Sequence, residues 1–196
     1  MTVLDHLLYA FLWLSFGIGH SILAAASVKA ALGRVFGRTY RFAYNVFAGI
    51  HIGAILVAGQ YWLGADADAF GWSLWVQVPL WGLQALGLVI LLMALRQYDM
   101  GLFAGTRQLR DPESERRVEP LNVEGMNAWV RHPIYLGAHL LLWGGVSDGF
   151  TLATAVWGSL YLVIGARYEE RRLVALYGDA YRAYQRDVAF LIPRIF

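Results

Sequence analysis

The stretch Val130-Arg131-His132-Pro133-Ile134-Tyr135-Leu136-Gly137-Ala138-His139-Leu140-Leu141-Leu142-Trp143-Gly144-Gly145-Val146-Ser147-Asp148-Gly149 runs from a polar knot through an apolar segment to a tight turn. Pro133 suits the first turn of a helix, where its missing N–H is no loss. The spacing predicts a short helix over about 133–146, a turn at Ser147-Asp148-Gly149, and a longer apolar helix over about 150–168. Such a hairpin returns the chain to its starting side, so Arg131-His132 and Arg167 to Arg171 should emerge near one another. Arg131 and His132 then sit at the positive end of a helix dipole, a natural receptor for a carboxylate or phosphate.

Working outward, 58% of the 196 residues are hydrophobic, eight are tryptophan, and the mean hydropathy is +0.47. Several apolar runs reach the roughly 20 residues that cross a hydrocarbon core. The expected fold class is all-α: one polytopic, integral-membrane domain with five transmembrane helices over about 4–26, 42–63, 72–95, 133–146 and 150–168. The first run is preceded by an acid and no base, and reads as a retained helix, not a cleaved signal peptide. Trp72 and Trp75 open the third as an interfacial belt would. Beyond the fifth, Tyr177-Gly178-Asp179 should interrupt the helix, and Ala180 to Val188 should form a second short one with Tyr181 and Tyr184 on one face.

Charge orients these segments. All 16 basic residues fall on one side of the map, in 29–41, 96–131 and the tail from Arg167, while the other side holds only Asp5, Asp66, Asp68 and Asp148. The positive-inside rule then puts the N-terminus outside and the C-terminus in the cytoplasm, with the basic face meeting anionic membrane lipid. The expected location is the bacterial inner membrane, with the functional face toward the cytoplasm.

Several chemistries are excluded. The chain has no cysteine, so disulfides, thiolate metal sites and a cysteine nucleophile are ruled out. Five histidines at 6, 20, 51, 132 and 139 show no ligand spacing, and no metal is expected. There is no strand pattern to host a phosphate loop or dinucleotide fingerprint. Membrane topology explains the basic tail, so no nucleic-acid partner is expected.

Among polar candidates, His20 and Ser21 either face a cavity at membrane depth or sit at the interface satisfied by water or backbone. His51 and Gln60 read more simply as bridges between helices. The segment from Leu95 to Gln108, with Tyr98, Asp99, two glycines and two Arg-Gln pairs, is either a cover over the end of the third helix or an amphipathic interfacial stretch. Asp111 to Glu119 is alternating charge, expected to be a solvated surface. Glu169 and Glu170 taken alone would be a charged helix end laced by i, i+4 pairs with Arg167, Arg171 and Arg172. Emerging beside Arg131-His132, they become partners in a site of mixed sign.

At Arg131-His132-Pro133-Ile134-Tyr135-Leu136-Gly137, Tyr168-Glu169-Glu170-Arg171-Arg172-Leu173 and Tyr177-Gly178-Asp179-Ala180-Tyr181-Arg182-Ala183-Tyr184, the chain resembles the isoprenylcysteine carboxyl methyltransferase-like superfamily of membrane enzymes. The match covers about the last 75 residues. Gly19-His20-Ser21 and the Tyr98-Asp99 to Arg107-Gln108 segment look like the methanethiol S-methyltransferase branch, although this segment is longer here. The NnrU-type membrane proteins are also similar in size and hydropathy.

The resemblance implies S-adenosyl-L-methionine as cofactor and a small or lipophilic methyl acceptor, with a thiol favoured. It implies a division into a three-helix membrane part, 1–95, and a catalytic cofactor-binding half, 96–196. Arg131, His132, Tyr135, Glu169 and Glu170 would bind the cofactor, Arg131 suiting its carboxylate and a glutamate its amino group or ribose. Gly125 and Met126 would offer backbone contacts to adenine. On the acceptor side His20, Arg171 and Tyr98 are the candidate catalytic residues. The alternative is a non-catalytic scaffold or sensor that uses the same pocket for a lipid or partner.

Overall fold

The computed structural model describes residues 2–64, 68–111 and 120–193. Asp66, and all of the alternating-charge run beyond Asp111, lie outside the described residues. Among the described residues the chain is helical without a strand, and it divides into two compact units.

The first unit comprises the described residues of Met1–Ala67 and Tyr98–Val118. Its first helix, α1 (Val3–Ala24), begins with a reciprocal cap: Asp5 N donates to Thr2 Oγ1 at 3.3 Å, and Thr2 N donates to Asp5 Oδ2 at 2.7 Å. An extended Ala25 separates it from α2 (Ala26–Phe36), which ends at Gly37, φ +52°. Helix α3 (Tyr40–Gly59) returns alongside α1 and continues as a π-helical turn, Gln60–Gly64. Tyr9, Trp13 and Phe16, one helical stripe of α1, are buried at this seam.

The Leu95–Gln108 segment folds as a turn and two short helices, α5 (Met100–Ala104) and α6 (Thr106–Arg110). Asp99 caps the first by accepting from Leu102 N at 3.0 Å and pairs with Arg107 at 2.5 Å. Gly105, φ +87°, lets the backbone of this segment press on Phe42, where a β-carbon would sit 2.6 Å from Phe42 N. Asn45 Nδ2 donates to Phe103 O at 2.8 Å. Both short helices thus lie on the start of α3.

The second unit comprises the described residues of Asp68–Gln97 and Glu119–Phe196. This division differs from the 1–95 and 96–196 halves read from the sequence. The third apolar helix, α4 (Leu74–Leu95), packs against α7 (Pro133–Gly144), α7 against α8 (Gly149–Tyr177), and α8 meets α9 (Asp179–Asp187). The physical reason is a set of glycines. A β-carbon on Gly87 would lie 2.6 Å from Leu141 N, one on Gly137 would lie 2.8 Å from Leu91 N, and one on Gly144 would strike the backbone of Gln84. Small residues at such contacts let membrane helices approach to backbone distance.

Those pairs define an antiparallel register that sets Pro133 level with Leu95. They also leave the α7–α8 turn about 10 Å short of the first residue of α4, counting helical rise. The chain before α4 meets that turn: Phe70 N donates to Ser147 O at 2.9 Å, and Ala69 and Asp148 form an antiparallel bridge. Asp148 then caps α8, accepting from Thr151 N at 2.8 Å.

Among the described residues, four helical stretches are long and apolar enough to cross a membrane: Val3–Ala24, Ala26–Gly64, Leu74–Leu95 and Gly149–Tyr177. The sequence reading expected five crossings; the helix expected as the fourth, α7, is not among these and with 12 residues rises only about 18 Å of a roughly 30 Å core. Gly137→Val should therefore be severe, forcing α4 and α7 apart at an overpacking cost of about 1–3 kcal/mol or more. Gly82→Ala, on α4 with open space around it, should leave the unfolding midpoint unchanged or raised. Thermal unfolding in detergent, followed by circular dichroism, compares the two.

Candidate functional site

The hairpin of α7 and α8 brings Arg131 and His132, just before Pro133, against Glu169 and Glu170. Glu170 does not pair along its own helix. Its Oε1 accepts from Arg131 Nε at 2.6 Å, and both side chains are more than nine-tenths buried. Among the described residues, no ion pair joins either glutamate to Arg167, Arg171 or Arg172.

The rest of Arg131 is engaged as well. Its Nη1 donates to Gln185 O at 3.1 Å and to Val188 O, while its backbone N donates to Ala189 O at 2.8 Å. These carbonyls lie at the end of α9, where orphan acceptors attract a cation. Arg131 therefore joins the loop before α7 to α8 and to the chain after α9. The anion-receptor role read for it from the sequence meets a guanidinium already held by a carboxylate and two carbonyls.

His132 sits between the two carboxylates. Its Nδ1 is 3.8 Å from Glu169 Oε2, and its Nε2 is 3.5 Å from Glu170 Oε1, at the outer limit of a hydrogen bond. Nε2 is buried without a well-formed partner. Burial holds the imidazole below its ordinary pKa, against the opposing pull of Glu169 and Glu170, so it is neutral at pH 7. Its ring meets Tyr135 and Phe190 edge-on, at 5.3 and 5.0 Å between centroids. Tyr135 Oη donates to Glu169 Oε2 at 2.9 Å. Glu169 is the more open of the pair, its side chain 39% exposed.

Three groups round out the cluster that the sequence reading did not assign to it. Tyr181 is fully buried, and its hydroxyl has no hydrogen-bond partner among the described residues. Burial and the nearby Glu170 raise its pKa, so it stays a donor. Phe190 carries two guanidinium groups on its ring, Arg167 at 4.5 Å and Arg131 at 5.6 Å. Tyr184 donates to Asn127 O at 2.5 Å and so fixes the Gly125–Ala128 turn to α9. The signal for both tyrosines was their i, i+3 spacing on one face.

Gly125 adopts φ +58° with Gln97 packed on its α-carbon, and Met126 follows it in the turn. Arg171 lies on the exposed side of α8, its guanidinium 5.3 Å from the Tyr168 ring. His20 and Tyr98 belong to the first unit. Tyr44 Oη is 2.7 Å from His20 Nε2, and Ser15 Oγ is 3.2 Å from Nε2 of His51, so α1 and α3 share a line of polar contacts. Tyr98 is partly exposed in the turn before α5. No cluster able to hold a metal ion occurs among the described residues.

No family model matches the chain, and no solved structure matches it. Curated relatives do. Three of them align with nearly the whole chain. The methanethiol S-methyltransferase of Crocosphaera subtropica is 29% identical over 190 residues, 92% of this chain and 71% of that one. That of Mycobacterium tuberculosis is 29% identical over 188 residues, covering 91% and 74%. That of Pseudomonas deceptionensis is 27% identical over 191 residues, covering 92% and 70%.

Two outcomes follow from the site's electrostatics. Glu170→Gln leaves a buried guanidinium without its counter-charge and should cost about 3–5 kcal/mol, whereas the double variant Arg131→Met/Glu170→Leu should recover most of that loss. Denaturant unfolding of the single and double variants measures it. His132, neutral in the fold, binds a proton more readily once the chain unfolds. Its contribution to stability is full above the ordinary value of 6.5 and is lost as pH falls from there toward the lowered folded value. The melting temperature of the wild type should drop between about pH 7 and pH 5, and His132→Asn should flatten that slope.

Proposed function

We propose that the chain is a membrane methyltransferase that uses S-adenosyl-L-methionine and acts on a small or lipophilic acceptor, a thiol in preference. We place it in the isoprenylcysteine carboxyl methyltransferase-like superfamily, on the methanethiol S-methyltransferase side. One observation carries this: Glu169 faces His132 and Tyr135 beside a neutralised Arg131–Glu170 pair, in a chain whose relatives over most of its length are methanethiol S-methyltransferases.

The residues fit the cofactor on their own chemistry. Arg131 and Glu170 cancel, and His132 is neutral. That leaves the Glu169 carboxylate without a charged partner among the described residues, which suits a ligand bearing an ammonium and a sulfonium. The unpartnered His132 Nε2 and Tyr181 hydroxyl suit ribose hydroxyls or a carboxylate. Gly125 and Met126 offer backbone to adenine. Arg131 and Glu170 are then the brace that holds this surface, with Tyr135 orienting Glu169. The bound cofactor would supply an electrophilic methyl group on a sulfonium sulfur.

For a thiol acceptor the chain must also take a proton, because the thiolate is the nucleophile. His20, in contact with Tyr44, is the base we assign, with Tyr98 and Arg171 as further acceptor-side groups. Charge supports five crossings with the N-terminus outside and the C-terminus and cofactor surface facing the cytoplasm of a bacterial inner membrane. In that arrangement α7 and the chain around Ala69 and Phe70 complete one crossing together, keeping their backbone groups paired at depth.

Calorimetry on detergent-purified wild type should register S-adenosyl-L-methionine binding, and Glu169→Gln should weaken it by about tenfold or more, the loss of one charge-assisted hydrogen bond. With labelled cofactor, methanethiol should be methylated ahead of amines, carboxylates and lipids. Absence of binding by wild type, where the Mycobacterium tuberculosis relative binds, overturns the enzyme reading in favour of a scaffold or sensor.

A further inference from the structure

At the end of the first unit remote from its lysine and arginines, Asp5, Leu8 and Tyr9 of α1 and Trp62 and Leu63 of the π-helical turn line an open cleft of about 170 Å³. Tyr9 and Leu63, each 2% exposed, form its floor, and Trp62 stands half-open at its wall. The π-helical turn puts both Trp62 and Leu63 toward α1. Turns of this kind are rare and recur at functional positions.

The carboxylate in this cleft forms no ion pair with a side chain among the described residues, and the titratable side chain that acts on its charge is the neighbouring His6. Asp5 Oδ2 accepts from Thr2 N, and no basic side chain pairs with Asp5 among the described residues. The lysine and arginines among the described residues of the first unit gather at its other end: Lys29 and Arg34 on α2, Arg38 and Arg41 around the start of α3, and Arg107 and Arg110 on the short helix packed there. A carboxylate beside indole and phenol rings takes an alkylammonium group, the acid accepting its N–H bonds and the rings facing its charge. Leu8 and Leu63 offer apolar surface to the attached methylenes. Tryptophan at a helix end is the residue that settles at headgroup depth in a bilayer.

We infer that this cleft binds the ammonium headgroup of a zwitterionic phospholipid, with phosphatidylethanolamine as the lipid of matching chemistry. The site is independent of the proposed methyl transfer. Phosphatidylglycerol, of similar size but with no ammonium, should not occupy it.

The test is native mass spectrometry of the full chain from nanodiscs holding equal phosphatidylethanolamine and phosphatidylglycerol. Wild type should retain phosphatidylethanolamine preferentially. Asp5→Asn, which keeps an oxygen for Thr2 N, and Trp62→Leu should each reduce that preference by about fivefold or more, with the melting temperature and S-adenosyl-L-methionine binding unchanged. No preference in wild type, or the same preference in both variants, overturns the inference.

Discussion

Taking a guanidinium and a carboxylate out of water is costly, and a chain accepts the cost only where geometry returns it. Arg131 and Glu170 meet at 2.6 Å with both side chains buried, and the remaining donors of Arg131 reach carbonyls at the end of α9. Three separate pieces of chain, the loop before α7, the C-terminal half of α8 and the segment after α9, are held by this one side chain. His132, Tyr135 and Glu169 depend on it, because each is placed by an element that Arg131 ties down.

The brace works only if the helices bearing it are close. In a bilayer, lipid tails are as apolar as leucine, so helices associate through packing and hydrogen bonds, not through escape from water. Gly87, Gly137 and Gly144 let α7 and α4 touch backbone to backbone, and Trp143 Nε1 donates to Ser159 Oγ at 2.9 Å between α7 and α8. A helix of only 12 residues is thereby fixed along most of its length. The polar cluster at its start inherits that rigidity.

Much of this was legible in the sequence. Pro133 and Ser147-Asp148-Gly149 bound a short helix and its turn, and the hairpin follows, so the meeting of Arg131 and His132 with Glu169 and Glu170 could be read from spacing alone. The break at Gly178 and the buried face of Tyr181 and Tyr184 were also readable, because turn chemistry and i, i+3 spacing are local. What was not readable is tertiary. Arg131 looked like an open anion receptor because nothing local announces that α9 folds back to place its carbonyls on the guanidinium. The affiliation of α4 with the C-terminal elements rests on three glycines that mean little until their neighbours are known. His51 looked like a bridge and is one, in contact with Ser15, while the partner of His20 proved to be Tyr44.

The parallel bridge between Val130 and Ala189 has a consequence for biogenesis. The loop before α7 is synthesised some sixty residues ahead of the segment that pairs with it, so α7 and α8 must insert while Arg131 still lacks its carbonyl partners. During that interval α7 is held to α4 by its glycine contacts and to α8 by the Trp143–Ser159 hydrogen bond, while the arginine lacks those acceptors. Closure waits for residues 185–189 to leave the ribosome, which makes this stretch a checkpoint for assembly: a nascent protein stalled or clipped before it would hold α1 to α8 and lack the brace on Arg131.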